Sequence, residues 1–189
     1  IYGCLVGSEM CIRDRNGGEH VSPATIEGGK ERTIVISGWS KTWAMTGMRV
    51  GFLAGPEQAV RAAVKCQANS ASHIPTFMME AARVALDCDD HVERFSDAYR
   101  QRRKLMVQGL EDIPGLRIVN PEGAFYLFID VSGTGMSDVE FADGALEAGV
   151  QLIPASLITG GEGFIRVSYA ASEEDIKEGI SRLRSWLLQ

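Results

Sequence analysis

Two short apolar runs in the first third of the chain are the clearest strand signals. Residues 33–36 are mostly β-branched and stop at Ser37-Gly38, and residues 48–56, MRVGFLAGP, form a second run that ends at Gly55-Pro56. Short apolar runs bounded by turn residues predict strands that are buried on both faces. The two runs therefore favour a sheet covered by helices, which is the arrangement of an α/β fold.

Longer stretches of the chain carry a helical pattern. Residues 57–69 and 76–86 are rich in alanine and weakly periodic, so they predict two helices, which His73-Ile74-Pro75 separates. From residue 89 to residue 113 the apolar side chains recur about every 3.6 residues. That stripe consists of Val92, Phe95, Tyr99, Met106 and Leu110. It predicts one long amphipathic helix, whose basic residues we interpret as a solvated face without a function.

The remainder of the chain alternates between strand and helix signals. Residues 116–133 contain two strand-like runs around the turn residues 120–123, which predicts a hairpin or tight loop. Residues 150–155 and 163–170 predict two further strands. From about residue 90 onward the pattern indicates a compact α+β unit.

Two helix starts in this second half carry their own capping signal. Ser137 followed by Glu140 is a capping-box pattern, and the helix that it opens is expected to end at Gly149. Ser172 with Asp175 is expected to cap a last helix. The inward stripe of that helix is Ile176, Ile180, Leu183 and Leu187.

Composition narrows the classes of partner. The chain has 189 residues, 45% of them hydrophobic, and 19 Lys+Arg against 25 Asp+Glu give a net charge of -6. The chain is therefore long and apolar enough to form a core. Its net negative charge provides no positive electrostatic field that would attract nucleic acid or an anionic membrane. Because no apolar stretch approaches the roughly 20 residues of a membrane span, we expect a cytoplasmic protein. The four cysteines, Cys4, Cys11, Cys66 and Cys88, lack metal-ligand spacing, so we expect reduced thiols and no metal.

Lys41 is the residue whose setting suggests chemistry. It follows the first predicted strand, beside Ser40 and among the apolar residues Trp39, Trp43 and Met45. Partial desolvation would disfavour its ammonium form, and a neutral amine forms Schiff bases with aldehydes. Arg49 could bind a dianion in a forked geometry. An aldehyde that carries a phosphate is pyridoxal phosphate.

Spacing alone leaves a plainer interpretation open, in which Lys41 is a surface lysine and Arg49 lies at a strand edge. Two known lysine motifs are excluded, because the glycines of a P-loop are missing and Gly38 occupies the serine position of the S-x-x-K motif.

The stretch SGWSKTWAMTGMRVGFLAGP, residues 37–56, closely resembles the Schiff-base lysine signature of the class I/II aminotransferases, in particular the aspartate and aromatic branch. GEHVSPATI, PEGAFYLFIDVSG and GFIRVSYAASEEDI resemble other segments of the same family in the same order, so the resemblance covers about residues 17–189. It implies an α/β fold: the C-terminal part of a fold-type I pyridoxal-phosphate enzyme, with the end of a large, mostly parallel-sheet domain and a small α+β domain.

The resemblance also implies roles for particular residues. Lys41 would bind the cofactor aldehyde and then move the proton between the substrate and the cofactor, and Arg49 would bind the cofactor phosphate. Ser37 and Ser40 are weaker candidates for the same phosphate, since many family members have a serine where this chain has Gly38. Arg166 would bind the substrate carboxylate with two parallel hydrogen bonds. An ion pair with a nearby Asp or Glu is the alternative for Arg166, and Tyr126 is expected to pack near the site.

The start of the chain departs from the family pattern. Residues 1–15 do not fit it, and we interpret them as a segment that is not native to the protein. Residues 16–89 would then be the end of the large domain and residues 90–189 the small domain. The family's aspartate against the pyridine nitrogen, its asparagine and its tyrosine would lie upstream of these residues. We therefore expect the 189-residue chain to be inactive and poorly soluble by itself.

The implied reaction is the transfer of an amino group between an amino acid and a 2-oxo acid, in a homodimer. Two alternatives remain open at this point. The same fold and cofactor support other reactions, those of a C–S lyase, a decarboxylase or a cyclase, and the chain could also be a catalytically inactive module. The sequence does not indicate which amino acid is used.

Overall fold

A computed structural model describes residues 21–121 and 123–189. The chain forms two compact units, Ile1–Ser96 and Asp97–Gln189, which we call the first and second units. The division lies seven residues after the predicted domain limit at residue 89. The interpretation of residues 1–15 lies outside the described residues and stays a prediction.

The first unit contains a pair of strands followed by two helices. Strand β1 (Val35–Gly38) pairs antiparallel with strand β2 (Gly51–Ala54), and Gly38 lies opposite Gly51 in the register. Helices α1 (Glu57–Ser70) and α2 (Thr76–Ala85) follow. The two predicted helices and the break between them are confirmed. Because β1 and β2 pair antiparallel, they do not supply by themselves the parallel pairing expected of the large domain.

The prediction that these two strands are buried on both faces is wrong. Ile36 of β1 is 66% exposed and Phe52 of β2 is 42% exposed, while only Leu53 and Val35 are half-buried among the apolar side chains of the pair. Leu53, which lies opposite Ile36 in the register, is half-buried, so the cover on this face is only partial. An apolar run predicts a strand with apolar side chains, but it does not show whether other residues cover those side chains.

The long helix and the second unit match their predictions closely. Helix α3 (Asp89–Leu110) covers most of the predicted amphipathic stretch. The strands β3 (Arg117–Ile118), β4 (Tyr126–Asp130), β5 (Ile153–Pro154) and β6 (Phe164–Ser168) form one sheet in the order β3-β4-β6-β5. All of its pairings are antiparallel. Helices α4 (Asp138–Glu147), α5 (Ser156–Thr159) and α6 (Glu173–Leu187) complete the unit.

One face of this sheet forms the core of the second unit. Leu127 and Ile129 of β4 and Ile165 and Val167 of β6 are all buried. The side chains between them along each strand, including Tyr126 and Arg166, point to the opposite face because strand side chains alternate. The sheet therefore has a packed apolar face and a second face that carries polar groups.

The two predicted helix caps are confirmed. The Ser137 hydroxyl accepts a hydrogen bond from the amide of Glu140, and the Glu140 carboxylate accepts one from the amide of Ser137. The Ser172 hydroxyl accepts from the amide of Asp175 at the start of α6. These bonds satisfy amides that have no partner inside the helix. In the part of the chain that the structure describes, no helix combines the length and apolarity that spanning a bilayer requires.

Candidate active site

The loop between β1 and β2 folds back on itself and holds Lys41 near its start. The amide of Trp39 donates to the carbonyl of Val50 at 3.2 Å, and the amide of Met45 donates to the carbonyl of Trp39 at 3.2 Å. A further bond at 3.1 Å runs from the amide of Ala44 to the carbonyl of Lys41. The two ends of the loop are thus tied together, and the lysine backbone is fixed between them.

Trp39 fastens this loop to helix α2. Its indole Nε1–H donates to the carbonyl of Ala82 at 2.8 Å. Its ring lies 5.7 Å from the ring of Trp43 and 5.5 Å, edge to face, from that of Phe52. Sequence reasoning treated Trp39 only as apolar surroundings for Lys41 and missed this anchoring role, which depends on a residue 43 positions away.

Four of the predicted site residues line one concavity of the first unit. Its volume is about 270 Å³, and its walls include Ser37, Ser40, Lys41 and Arg49. Lys41 is half-buried, whereas Arg49 is exposed and donates from Nη1 to the carbonyl of Thr46 at 3.1 Å. An arginine makes up to five N–H donations, so this single bond leaves most of the guanidinium available to a ligand.

Gly38 lies very close to the backbone of the opposite strand. A Cβ atom on Gly38 would lie only 2.8 Å from the carbonyl oxygen of Val50, across the pair of strands. A serine there would have to push backbone atoms apart. Hydroxyl groups are supplied to the same concavity by Ser37 and Ser40 instead.

The backbone of this loop is strained at two residues that are not glycine. Ala44 has φ of 54° and Arg49 has φ of 53°, both in the left-handed region. Such conformations are costly for residues that carry a Cβ, and they persist where the surrounding structure enforces them, often at functional sites. Arg49 is held by a backbone that a less constrained loop would not adopt.

The residues around this concavity fit pyridoxal phosphate. A guanidinium and two hydroxyls are the donors that bind a phosphate dianion, and a half-buried amine is the group that reacts with an aldehyde. Gly38 and Gly51, which also line the concavity, carry no side chains that would fill it. The donor set and the open space therefore suit the group that the sequence resemblance implies.

Arg166 lies in the second unit, on the polar face of the sheet. Its guanidinium carbon is 4.5 Å from the centroid of the Tyr126 ring. Both residues line a concavity of about 260 Å³, together with Gln151, Ile153 and Ser168. The predicted alternative for Arg166 was an ion pair, but the described residues provide no carboxylate within 4.0 Å of it. A half-buried cation without an acidic partner in that part of the chain suits an anionic ligand.

Gln151 and Ser168 were not predicted from the sequence. Ser168 follows Arg166 by two positions on β6, so the strand period alone places both on one face. Gln151 reaches the concavity only because β5 pairs with β6, which is a contact between distant parts of the chain.

Among the described residues, Asp130 at the end of β4 has the most strongly shifted pKa. The hydroxyl of Ser132, the guanidinium of Arg117 and the amide of Ser132 all donate to its carboxylate and lower its pKa to about 2 from the ordinary 3.8. These bonds fix the strand that carries Tyr126 against β3. Asp130 thus supports the sheet and is not part of either concavity.

Comparison with known proteins gives matches to one family. The family described as Aminotransferase class I and II matches residues 2–183. The aspartate aminotransferase of Pyrococcus horikoshii is 38% identical over 162 residues, which are 83% of this chain and 41% of that protein. The aromatic-amino-acid aminotransferase 2 of Thermococcus litoralis is 40% identical over 177 residues, 91% of this chain and 45% of that protein.

Solved structures of aminotransferases match the fold over most of this chain. The aromatic aminotransferase of P. horikoshii superimposes with a TM-score of 0.84 at 37% identity, over 89% of this chain and 46% of that one. The aspartate aminotransferase of Rhizobium meliloti gives a TM-score of 0.85 at 34% identity, over 90% of this chain and 46% of that one.

The α/β fold, with a lysine and an arginine in one concavity, is that of a pyridoxal-phosphate enzyme family. This chain belongs to the class I and II aminotransferases, as the sequence resemblance predicted. It spans less than half the length of the curated relatives that it matches.

Proposed function

We propose that this chain contributes to an aminotransferase that moves an amino group between an amino acid and a 2-oxo acid with pyridoxal phosphate as cofactor. The observation that carries the proposal is the concavity of the first unit. It gathers the amine of Lys41, the guanidinium of Arg49 and the hydroxyls of Ser37 and Ser40 in a chain of this family.

In the proposal, Lys41 and the three phosphate-binding residues of this concavity have different roles. Pyridoxal phosphate, when bound, supplies an electron sink for the carbanion that forms at the substrate Cα. The Lys41 Nζ would hold the cofactor aldehyde, and the same amine would take and return the proton at the substrate Cα. Arg49 binds the phosphate as an ion pair, and the hydroxyls of Ser37 and Ser40 donate hydrogen bonds to it.

Arg166 is the proposed ligand of the substrate carboxylate. A guanidinium and a carboxylate match in a bidentate geometry, which would fix the direction of the amino acid. The absence of an acidic partner within the described residues supports this role. The names of the relatives suggest aspartate, aromatic amino acids and prephenate as the first substrates and acceptors to assay.

We also propose a cellular compartment, an oligomeric state and domain limits for the protein. Cys66 and Cys88 are free thiols, which suits the reducing cytoplasm. We propose a homodimer, as the family resemblance implies; Phe77 and Met79 on α2, 67% and 53% exposed, are apolar surface that a partner subunit or further residues of the protein would cover. We further propose residues 16–89 as the end of the cofactor-binding domain and residues 90–189 as the small domain, and that the 189-residue chain is inactive without further residues.

Borohydride trapping tests the cofactor-binding part of the proposal. The product of the complete gene would be incubated with pyridoxal phosphate, reduced, digested and analysed by peptide mass spectrometry. We expect the pyridoxyl group on Lys41, and its loss from that peptide in Lys41→Ala. Lys65→Ala, which changes a lysine on α1 outside the concavity, is the matched control. Labelling spread over surface lysines, with Lys41 unmodified, would contradict the proposal.

An amino-transfer assay tests the reaction itself. Glutamate formation from 2-oxoglutarate would be measured with aspartate and with aromatic amino acids as donors. We expect transfer that depends on both the oxo acid and Lys41. Release of ammonia without an oxo acid would instead identify an elimination or lyase reaction on the same cofactor.

A further inference from the structure

The Tyr126 side chain lies against the guanidinium of Arg166, and strand register accounts for it. Tyr126 is opposite Ser168 and Phe128 is opposite Arg166 in the β4–β6 pair. Tyr126 and Arg166 are therefore diagonal neighbours on the polar face of the sheet, a distance that an aromatic ring and a long side chain can bridge. The resulting separation, 4.5 Å from the guanidinium carbon to the ring centroid, is within the range of a cation–π contact.

The contact with the ring is compatible with a ligand that binds the N–H groups of Arg166. The guanidinium carbon lies over the Tyr126 ring, and all five N–H groups of arginine point outward in the guanidinium plane. A carboxylate that binds with two parallel hydrogen bonds approaches along the same plane. The aromatic support and a bound carboxylate are thus geometrically compatible.

The segment that carries the Tyr126 ring is itself fixed. The buried hydroxyl of Tyr169 donates to the carbonyl of Ala124 at 2.5 Å, and the amide of Tyr169 donates to the carbonyl of Phe125 at 3.0 Å. Ala124 is held with φ of 64°, in the left-handed region. The Phe125 ring is buried and lies 4.3 Å from the Tyr126 ring. Two hydrogen bonds from Tyr169 to the residues just before Tyr126 therefore restrain the backbone that carries its ring.

We infer that Tyr126 is a positioning residue for Arg166: its ring holds the guanidinium in the orientation in which the fork meets a carboxylate. The inference rests on the proposed function, since it assumes that Arg166 binds the substrate carboxylate. Its physical basis is preorganisation, because an arginine restrained before binding loses less side-chain freedom when the ligand arrives.

Binding of maleate, a small dicarboxylate, to the product of the complete gene tests the inference by titration calorimetry. We expect Tyr126→Leu to raise the Kd for maleate about tenfold, because the cation–π support is lost. Tyr126→Phe keeps the ring and should change the Kd by less than about twofold. Phe164→Leu is the matched control: it removes an aromatic ring from the same face of the sheet, but Phe164 lies opposite Asp130 and outside the concavity, so its Kd should stay within about twofold. Tyr126→Met, an apolar change that removes the ring, replaces Tyr126→Leu if that variant does not fold.

A double-substitution cycle separates positioning from general damage to the sheet. In an Arg166→Lys background the planar fork is gone, so Tyr126→Leu should have an effect on the Kd of less than about twofold. An equal loss in both backgrounds would overturn the inference, and so would an unchanged Kd in Tyr126→Leu. If Arg166→Leu bound maleate as tightly as the unchanged protein, the carboxylate role of Arg166 would fail, and the inference with it.

Discussion

The two units bury very different amounts of apolar side chain. Within the described residues, seventeen apolar side chains of the second unit are buried but only three of the first. Those three are Val50, Ala82 and Ala85. The proposed cofactor-binding residues thus lie in the unit with little core of its own, whereas Arg166 lies on a well-packed sheet.

This difference indicates how each of the two concavities is held. In the second unit the packed face of the sheet fixes the backbone, and the opposite face can carry Arg166 and Tyr126 without loss of stability. In the first unit the loop around Lys41 is held by individual bonds, such as that from Trp39 to Ala82, and by the close approach of Gly38 and Gly51. Changes in the first unit should therefore affect binding more than global stability.

The same substitution should destabilise the two sheets to very different extents. Ile165→Ala in β6, where the side chain is fully buried, should lower the free energy of unfolding by about 2–5 kcal/mol. Ile36→Ala in β1, where the side chain is 66% exposed, should cost less than about 0.5 kcal/mol. Urea unfolding followed by circular dichroism measures both. A large cost for Ile36→Ala would show that β1 is covered in solution.

A methyl group at Gly38 should damage the cofactor concavity selectively. Gly38→Ala places a Cβ atom 2.8 Å from the Val50 carbonyl oxygen and should cost about 1–3 kcal/mol in the first unit, with weaker binding of pyridoxal phosphate. Gly47→Ala is the control, because a Cβ there has open space around it. Hydrogen exchange at the Trp39 amide reports the local stability, and equal exchange in the two variants would contradict the prediction.

Asp130 should make the second unit sensitive to acid. Its pKa of about 2 in the folded chain lies below the ordinary 3.8, so its contribution is complete above about pH 4 and is lost as the pH falls towards 2. Asp130→Asn should cost about 1–2 kcal/mol at pH 7, mostly through the bonds from Ser132, since Arg117 is largely exposed.

Urea unfolding of this variant and of the unchanged chain at several pH values measures the effect. The difference between the two should shrink below pH 4, as Asp130 of the unchanged chain becomes protonated. Asp143→Asn, at an exposed position on α4, is the control for the general effect of removing one carboxylate. A difference that stays constant down to pH 2 would contradict the role of Asp130.

Local signals made much of this structure predictable from the sequence. The helices α1 and α2, their break and the caps at Ser137 and Ser172 depend on neighbours a few residues apart, and all were confirmed. The resemblance also named the four residues that converge in the first concavity. These features are encoded within short segments or within a motif.

Other features depend on contacts that no local pattern contains. Burial of β1 was predicted wrongly because an apolar run does not reveal whether a covering layer is present. The contact of Tyr126 with Arg166 requires the register of β4 against β6, which pairs residues about 40 positions apart. The left-handed backbone at Ala44 and Arg49 was missed because neither residue is glycine, the usual signal for that conformation.

The smallest expected effect comes from relieving the backbone strain at Ala44. Unlike the substitutions above, this change should stabilise the protein. Ala44→Gly removes the Cβ from a residue at φ of 54° and should stabilise the first unit by about 0.5–1 kcal/mol, after the added flexibility of the unfolded chain is subtracted. Ala62→Gly, at an exposed position in α1, should instead destabilise it by about 1 kcal/mol. Hydrogen exchange of the amides of Trp39 and Met45 measures the first change. If Ala44→Gly lowered stability as Ala62→Gly does, the loop around Lys41 would not be strained at this position, and the bonds of its backbone alone would account for its shape.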